Sequence, residues 1–140
     1  MKNRARGFTL IELLIVVVIV AVLAMIAYPS YSTYMQRTRR AQAKADLAEY
    51  AGQLEREFTV NRSFSAYTLP FTTSPRDVGG VVAYNLAVAI PTTSAYVLTA
   101  APAAGPQASD PCGSLTLNQT GLKQHSAGDN STCNWGTVGP

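Results

Sequence analysis

The chain has 140 residues, 47% hydrophobic and 14% charged, a composition that fits one compact domain and excludes a disordered polyelectrolyte. The net charge of +3 invites a nucleic-acid reading, but Lys2, Arg4 and Arg6 alone supply that excess, all ahead of Gly7. Without residues 1–7 the basic and acidic side chains balance, so the basic character belongs to a leader and not to a binding face.

After the leader the chain turns apolar. No side chain from Leu13 to Gln36 is charged, and 13–27 is apolar throughout. Before residue 60 the only proline is Pro29 and the only glycines are Gly7 and Gly52, whereas seven prolines and eight glycines lie beyond it. The first part therefore reads as one long helix and the second as turns and strands. A helix from Phe8 to Phe58 would be about 75 Å long. Its first half, Phe8–Tyr28, is apolar all round except at Thr9 and Glu12, which suits lipid or a helix bundle. Pro29, lacking an N–H, is expected to kink it. Beyond Pro29, Leu47, Ala51, Leu54 and Phe58 fall on one stripe of an amphipathic helix. Arg37, Arg39, Arg40 and Lys44 form a basic cluster, with Arg40 and Lys44 spaced to repel and no acid at i+4 to offset them. A solvated face, lipid phosphates, and Asp46 or Glu49 of neighbouring copies are the open explanations.

Residues 59–80 carry turn formers and scattered aromatics without a period, as a functional or partly structured loop would. Next, Val82, Tyr84, Leu86, Val88 and Ile90 alternate with smaller residues, the pattern of a half-buried strand. After a turn at 91–94, a return strand places Tyr96 and Leu98 inward. A third strand does the same with Leu115 and Leu117, and a short fourth fits 122–124. Three or four antiparallel strands packed on the amphipathic helix half make an α+β fold. Cys112 and Cys133 are the only cysteines, and in an exported domain they read as one disulfide worth about 3 kcal/mol. Zinc and free thiols are the competing readings; His125 lies between the cysteines, but no fourth ligand and no Cys-x-x-Cys spacing exist.

The apolar segment lacks a signal-peptidase pattern, since Ala24 and Ala27 are spaced by three. The remaining chain is too small to bury it, leaving a membrane anchor, or an anchor that later becomes a packing helix. Arginines flank the span on both sides, so the positive-inside count ties, and the disulfide, which needs an oxidising space, puts the C-terminal part outside. A carboxylate in such a span is a functional-site hypothesis. Glu12 is either solvated at headgroup depth or paired with a cation, and a free α-amine on Phe8 after cleavage at Gly7 would supply one, most naturally between subunits.

A basic leader, Gly7, then Phe8-Thr9-Leu10-Ile11-Glu12 and an apolar run ending near Pro29 resemble the precursor of a type IV pilin. The stretch "CGSLTLNQTG" (112–121), with a second cysteine near the end, is similar to minor pilins of the PilE type. The resemblance implies a type IV pilin fold: a long N-terminal helix packed on an antiparallel sheet, with a C-terminal region closed by the disulfide. It implies cleavage between Gly7 and Phe8 by a prepilin peptidase, N-methylation of Phe8, and neutralisation of a neighbour's terminal amine by Glu12. It divides the chain into a leader (1–7), a membrane-spanning and filament-core helix (8–28) and a periplasmic domain (29–140). The implied partners are other pilin subunits, the peptidase, the pilus assembly machinery and, before assembly, the inner membrane, with the N-terminus cytoplasmic. Pilus biogenesis, twitching motility, adhesion and DNA uptake are the roles that go with it. A type II secretion pseudopilin and a membrane-anchored periplasmic binding module that never polymerises are the alternatives.

Direct DNA binding is not expected, because beyond residue 60 Arg62, Arg76 and Lys123 are matched by Asp77, Asp110 and Asp129. Tyr67, Phe71 and Trp135 could stack bases or cover the core. No catalysis, metal or cofactor is expected: there is one histidine and no phosphate loop, and the neighbouring His125, Ser126 and Asp129 suit turn hydrogen bonds better than a triad. Asn61, Asn118 and Asn130 open N-x-[ST] triplets short enough to arise by chance.

Overall fold

The computed structural model describes residues 8–76 and 79–139. The chain divides into two units, one ending at Met35 and the other starting at Gln36. Helix α1 (Leu10–Asn61) begins in the first and ends in the second. It begins and ends within a few residues of the predicted limits, and it remains helical through Pro29. The Ser32 and Thr33 hydroxyls donate to Pro29 O at 2.9 and 3.1 Å, a local use of that carbonyl next to the missing proline N–H.

In the second unit, one face of α1 is covered by a sheet. The strands are β1 (Thr73–Ser74), β2 (Tyr84–Thr92), β3 (Ala95–Pro102), β4 (Leu115–Asn118), β5 (Lys123–His125) and β6 (Thr137–Val138), with the short helix α2 (Asn130–Cys133) between the last two. They lie side by side in chain order. All neighbours are antiparallel except β5 and β6, which run parallel. The predicted strands are present, and the sheet is wider than expected because a two-residue strand adds to each edge. Backbone geometry alone builds these edge strands, without an apolar pattern to announce them. At one of them Gly136 (φ +71°) is required: a Cβ there would lie 1.8 Å from Lys123 O.

The core follows the predicted alternation. Tyr84, Leu86, Tyr96, Leu98, Leu115 and Leu117 are buried against Ala43, Leu47, Tyr50 and Leu54 of α1, with Ala51 and Phe58 half-buried beside them. Phe64 from the loop after α1 stacks on Phe58 (4.7 Å) and meets Tyr96 edge-on (4.9 Å). The alternation fails at its ends. Val82 precedes β2 and is 37% exposed, because Ala83 is the buried residue and its N–H donates to Ser74 O. On β5, which runs one residue later than expected, it is His125 that turns inward.

Candidate assembly site

The described part of the first unit presents an apolar surface on α1. The most apolar 18-residue stretch of α1 has a mean hydropathy of 3.2 and none of it is buried. Even the least exposed of its large side chains, Ile15 and Val16, are 51% exposed. Removing a Val, Leu or Ile side chain from water is worth about 1.5–3 kcal/mol, so a surface of this kind requires lipid or neighbouring helices. Length and composition suffice to cross a membrane.

Glu12 is exposed in the first turn of α1 and has no ion pair among the described residues. The Thr9 hydroxyl accepts from Glu12 N at 3.3 Å, and Leu13 N donates to Thr9 O at 3.2 Å. Thr9 is therefore the N-cap, three residues before an acidic side chain that also favours the positive end of the helix dipole. Thr-x-x-Glu has the spacing of a capping box, a helix-start signal present in the sequence but not among the expectations above. Phe8 precedes it and is 83% exposed. Gly7 lies outside the described residues.

In the second unit the predicted basic cluster comes apart. Arg37 is exposed and Arg39 half-exposed, but Arg40 is buried at 4% exposure. Its Nε and Nη2 donate to both carboxylate oxygens of Asp110 (3.0 and 2.7 Å), and Nη1 donates to Thr132 O (3.2 Å). Lys44 Nζ donates to Cys133 O and Asn134 O. The two like charges four residues apart thus bind the carbonyl end of α2, where the helix dipole is negative. Burial lowers the Lys44 pKa, with Arg40 adding to the shift. Asp110 also accepts from the Tyr84 hydroxyl, from Gln107 Nε2 (2.6 Å) and from Cys112 N (2.8 Å). Burial alone would raise the Asp110 pKa, but Arg40, Tyr84 and the Cys112 N–H outweigh it and hold it below the usual carboxylate range. The same burial pushes the Tyr84 hydroxyl strongly upward, helped by the Asp110 charge.

Asp46 and Glu49 also have partners within the chain. Arg76 Nη2 bridges Asp46 (3.0 Å) and Glu49 (2.7 Å), with the guanidinium 5.0 Å from the Tyr50 ring and 5.7 Å from Phe71. Cys112 and Cys133 form the predicted disulfide, their Cα atoms 5.6 Å apart. His125 Nδ1 bonds Ala127 O, Ser126 Oγ accepts from Ser114 N, and Asp129 caps α2 through Thr132 N. The three are spent on separate turns and do not converge. Trp135 is 6% exposed, donates to Thr116 O at 3.0 Å and belongs to the core, with Lys123 Nζ 4.9 Å and Lys44 Nζ 5.8 Å from its ring. Tyr67 donates to Gln53 and packs on the core, while Phe71 stays 48% exposed under Arg76.

Two family profiles match this chain. One, described as "Type IV minor pilin ComP, DNA uptake sequence receptor", covers residues 29–116, and the other, a prokaryotic N-terminal methylation motif, covers residues 2–28. A comparison with curated proteins returned no match. Among solved structures, a type IV pilin from Shewanella oneidensis is 27% identical, with a TM-score of 0.49, over 63% of this chain and 89% of that one. The non-core minor pilin PilV of Neisseria meningitidis is 19% identical, with a TM-score of 0.55, over 69% and 91%. The PilV likeness bears on the fold alone, and that fold is the pilin arrangement of a long N-terminal helix with an antiparallel-rich sheet. With its methylation motif on the apolar helix and the minor-pilin profile spanning most of the chain beyond Tyr28, the chain belongs to the type IV minor pilin family.

Proposed function

We propose that this chain is a non-catalytic subunit of a type IV pilus that polymerises through the first half of α1. It waits as a single-pass protein of the inner membrane with residues 1–7 in the cytoplasm. A prepilin peptidase then cuts between Gly7 and Phe8 and methylates Phe8. The new amine is neutralised by Glu12 of an adjacent subunit, while 8–28 forms the filament core and 29–140 the outer domain. The observation that carries the reading is the exposed apolar half-helix whose one carboxylate has no ion pair among the described residues, in a chain whose other unit has its own core. Lipid covers such a surface before assembly and neighbouring helices cover it afterwards. Glu12→Ala should insert normally and enter filaments poorly, read by immunoblotting sheared filaments against membranes. Incorporation at the wild-type level would refute the role of Glu12. Mass spectrometry of the same filaments reads the N-terminal peptide: a methylated Phe8 at trace abundance supports a minor subunit, and an intact leader found only in membranes supports a plain anchor. Co-purification with a type II secretion filament would instead favour the pseudopilin alternative.

A second reading is that the subunit also binds DNA, as the description of the matching family names an uptake receptor. The balance of charges beyond residue 60 speaks against it. The spatial feature in its favour is Lys123, whose Nζ lies 4.9 Å from the Trp135 ring. Duplex binding by the detergent-solubilised chain, compared with Lys123→Glu, tests it; equal retention of DNA by both removes this patch from consideration.

A further inference from the structure

The two cysteines are each held in place by groups other than their sulfurs. On one side, Cys112 N donates to Asp110 Oδ1, and Asp110 is gripped by Arg40 of α1, by Tyr84 of β2 and by Gln107. On the other, the carbonyls of Thr132, Cys133 and Asn134 are taken by Arg40 and Lys44 of the same helix face. Arg40 is therefore bonded toward both cysteines at once, 70 residues away at Asp110 and 92 at Thr132. The arrangement sits within the second unit, where Asp110, Arg40, Cys112 and Cys133 are all buried. Its partners come from four separate segments, so it forms only when β2 and the chain from Gln107 onward have docked on α1.

We propose that docking comes before disulfide closure: Arg40, Lys44 and Asp110 bring Cys112 and Cys133 together, and the C-terminal region keeps its place while both are thiols. The disulfide then locks an arrangement already made and does not create it. Three features support this. The polar contacts reach the backbone on both sides of the bridge, and none of them passes through a sulfur. A buried carboxylate with five donors is satisfied in full, whereas an undocked Arg40 or Asp110 would return to water and lose that geometry. With the bridge formed the cysteine Cα atoms lie 5.6 Å apart within the same docked arrangement, so closure requires no departure from it.

The test is the effective molarity of the cysteine pair in the full chain, in detergent, equilibrated with oxidised and reduced glutathione. One thiolate attacks glutathione disulfide and releases one glutathione. The other displaces the second, so two protons and two electrons pass to glutathione and one intramolecular bond forms. Effective molarity scales with the fraction of thiol-form chains docked, so it is read in urea at the midpoint of the thiol form's own docking transition, where that fraction follows the docking constant. Asp110→Asn should lower it by about 100-fold, the equivalent of losing one partner of a buried charge pair. Lys44→Met leaves no buried charge behind and should lower it by about tenfold, which provides the reading if Asp110→Asn does not fold. Values equal to wild type in variants that retain amide protection across β2 and β3 would overturn the proposal. The complementary arm is the Cys112→Ser/Cys133→Ser chain. Trp135 should keep its native emission there, and an emission matching the urea-unfolded chain would overturn the proposal equally.

Discussion

Asp110 shows how much a single side chain can organise. Its carboxylate charge is the form all its donors require, and its pKa is held below that of an unfolded carboxylate. A group with a depressed folded pKa contributes stability that is fully present above the unfolded value, about 3.9, and is lost as pH falls through the folded one. Thermal unfolding of the second unit should therefore be flat in midpoint from neutral pH to about pH 5 and fall below pH 4. Asp110→Asn should flatten that acid limb while lowering the midpoint at neutral pH, and an unchanged acid limb in the variant would assign the effect elsewhere. Glu49, lowered by its hydrogen bonds to Arg76, titrates in the same direction but is exposed to solvent, so its share is small. Tyr96 lies at the other extreme of pH: burial, with Glu55 nearby, pushes its hydroxyl up to about 12, and it stays protonated throughout this range. None of this is visible in local sequence. Arg40 has no acid within a helical turn, and its partner lies 70 residues away, so spacing rules report repulsion where the fold provides a pair.

The two halves of α1 obey different rules. Downstream, the apolar stripe is legible because core packing repeats with the helical turn, and β2, β3 and β4 are legible because burial repeats every second residue. Tyr50 on the same helix escapes that pattern because its ring is buried while its hydroxyl reaches Phe71 O, a mixed character that hydropathy alone ranks low. Edge strands β1 and β6 are invisible because two residues carry no period, and their pairing depends on Ala83 and Gly136 bringing backbones together. Upstream, the apolar run announces itself, while the Thr9 cap is masked because a lone threonine at the edge of such a run is too weak a signal beside the carboxylate it serves. The halves should respond differently to the same chemical change. Leu98→Ala, at a fully buried position, should cost about 2–5 kcal/mol in denaturant unfolding of the second unit. Val16→Ala, on an exposed surface, should leave that transition within about 0.5 kcal/mol of wild type. A large effect at Val16 would mean that the second unit depends on the first for its stability.

At the scale of the molecule, every core residue lies at or beyond Ala43, inside the unit that starts at Gln36. That unit has its own disulfide, caps and salt bridges. A chain truncated to 36–140 should be soluble without detergent and unfold in one cooperative transition, with dispersed amide resonances; aggregation or a molten spectrum would contradict this. The division into an apolar half-helix and a unit with its own core can be read from where the prolines, glycines and charges fall. Membership of the pilin family gives that division a biological meaning. What the C-terminal surface engages is not legible, because the charges that define it depend on which side chains the fold consumes.

The band from Arg37 to Lys44 carries four formal positive charges, but Arg40 is neutralised internally and Lys44 spends its donors on carbonyls, which leaves Arg37 and Arg39 at the surface. A polyanion lying along this band would displace counterions from two side chains, not four. The logarithm of its binding constant should then fall against the logarithm of salt concentration with a slope of about −2, where the residue count alone would give about −4.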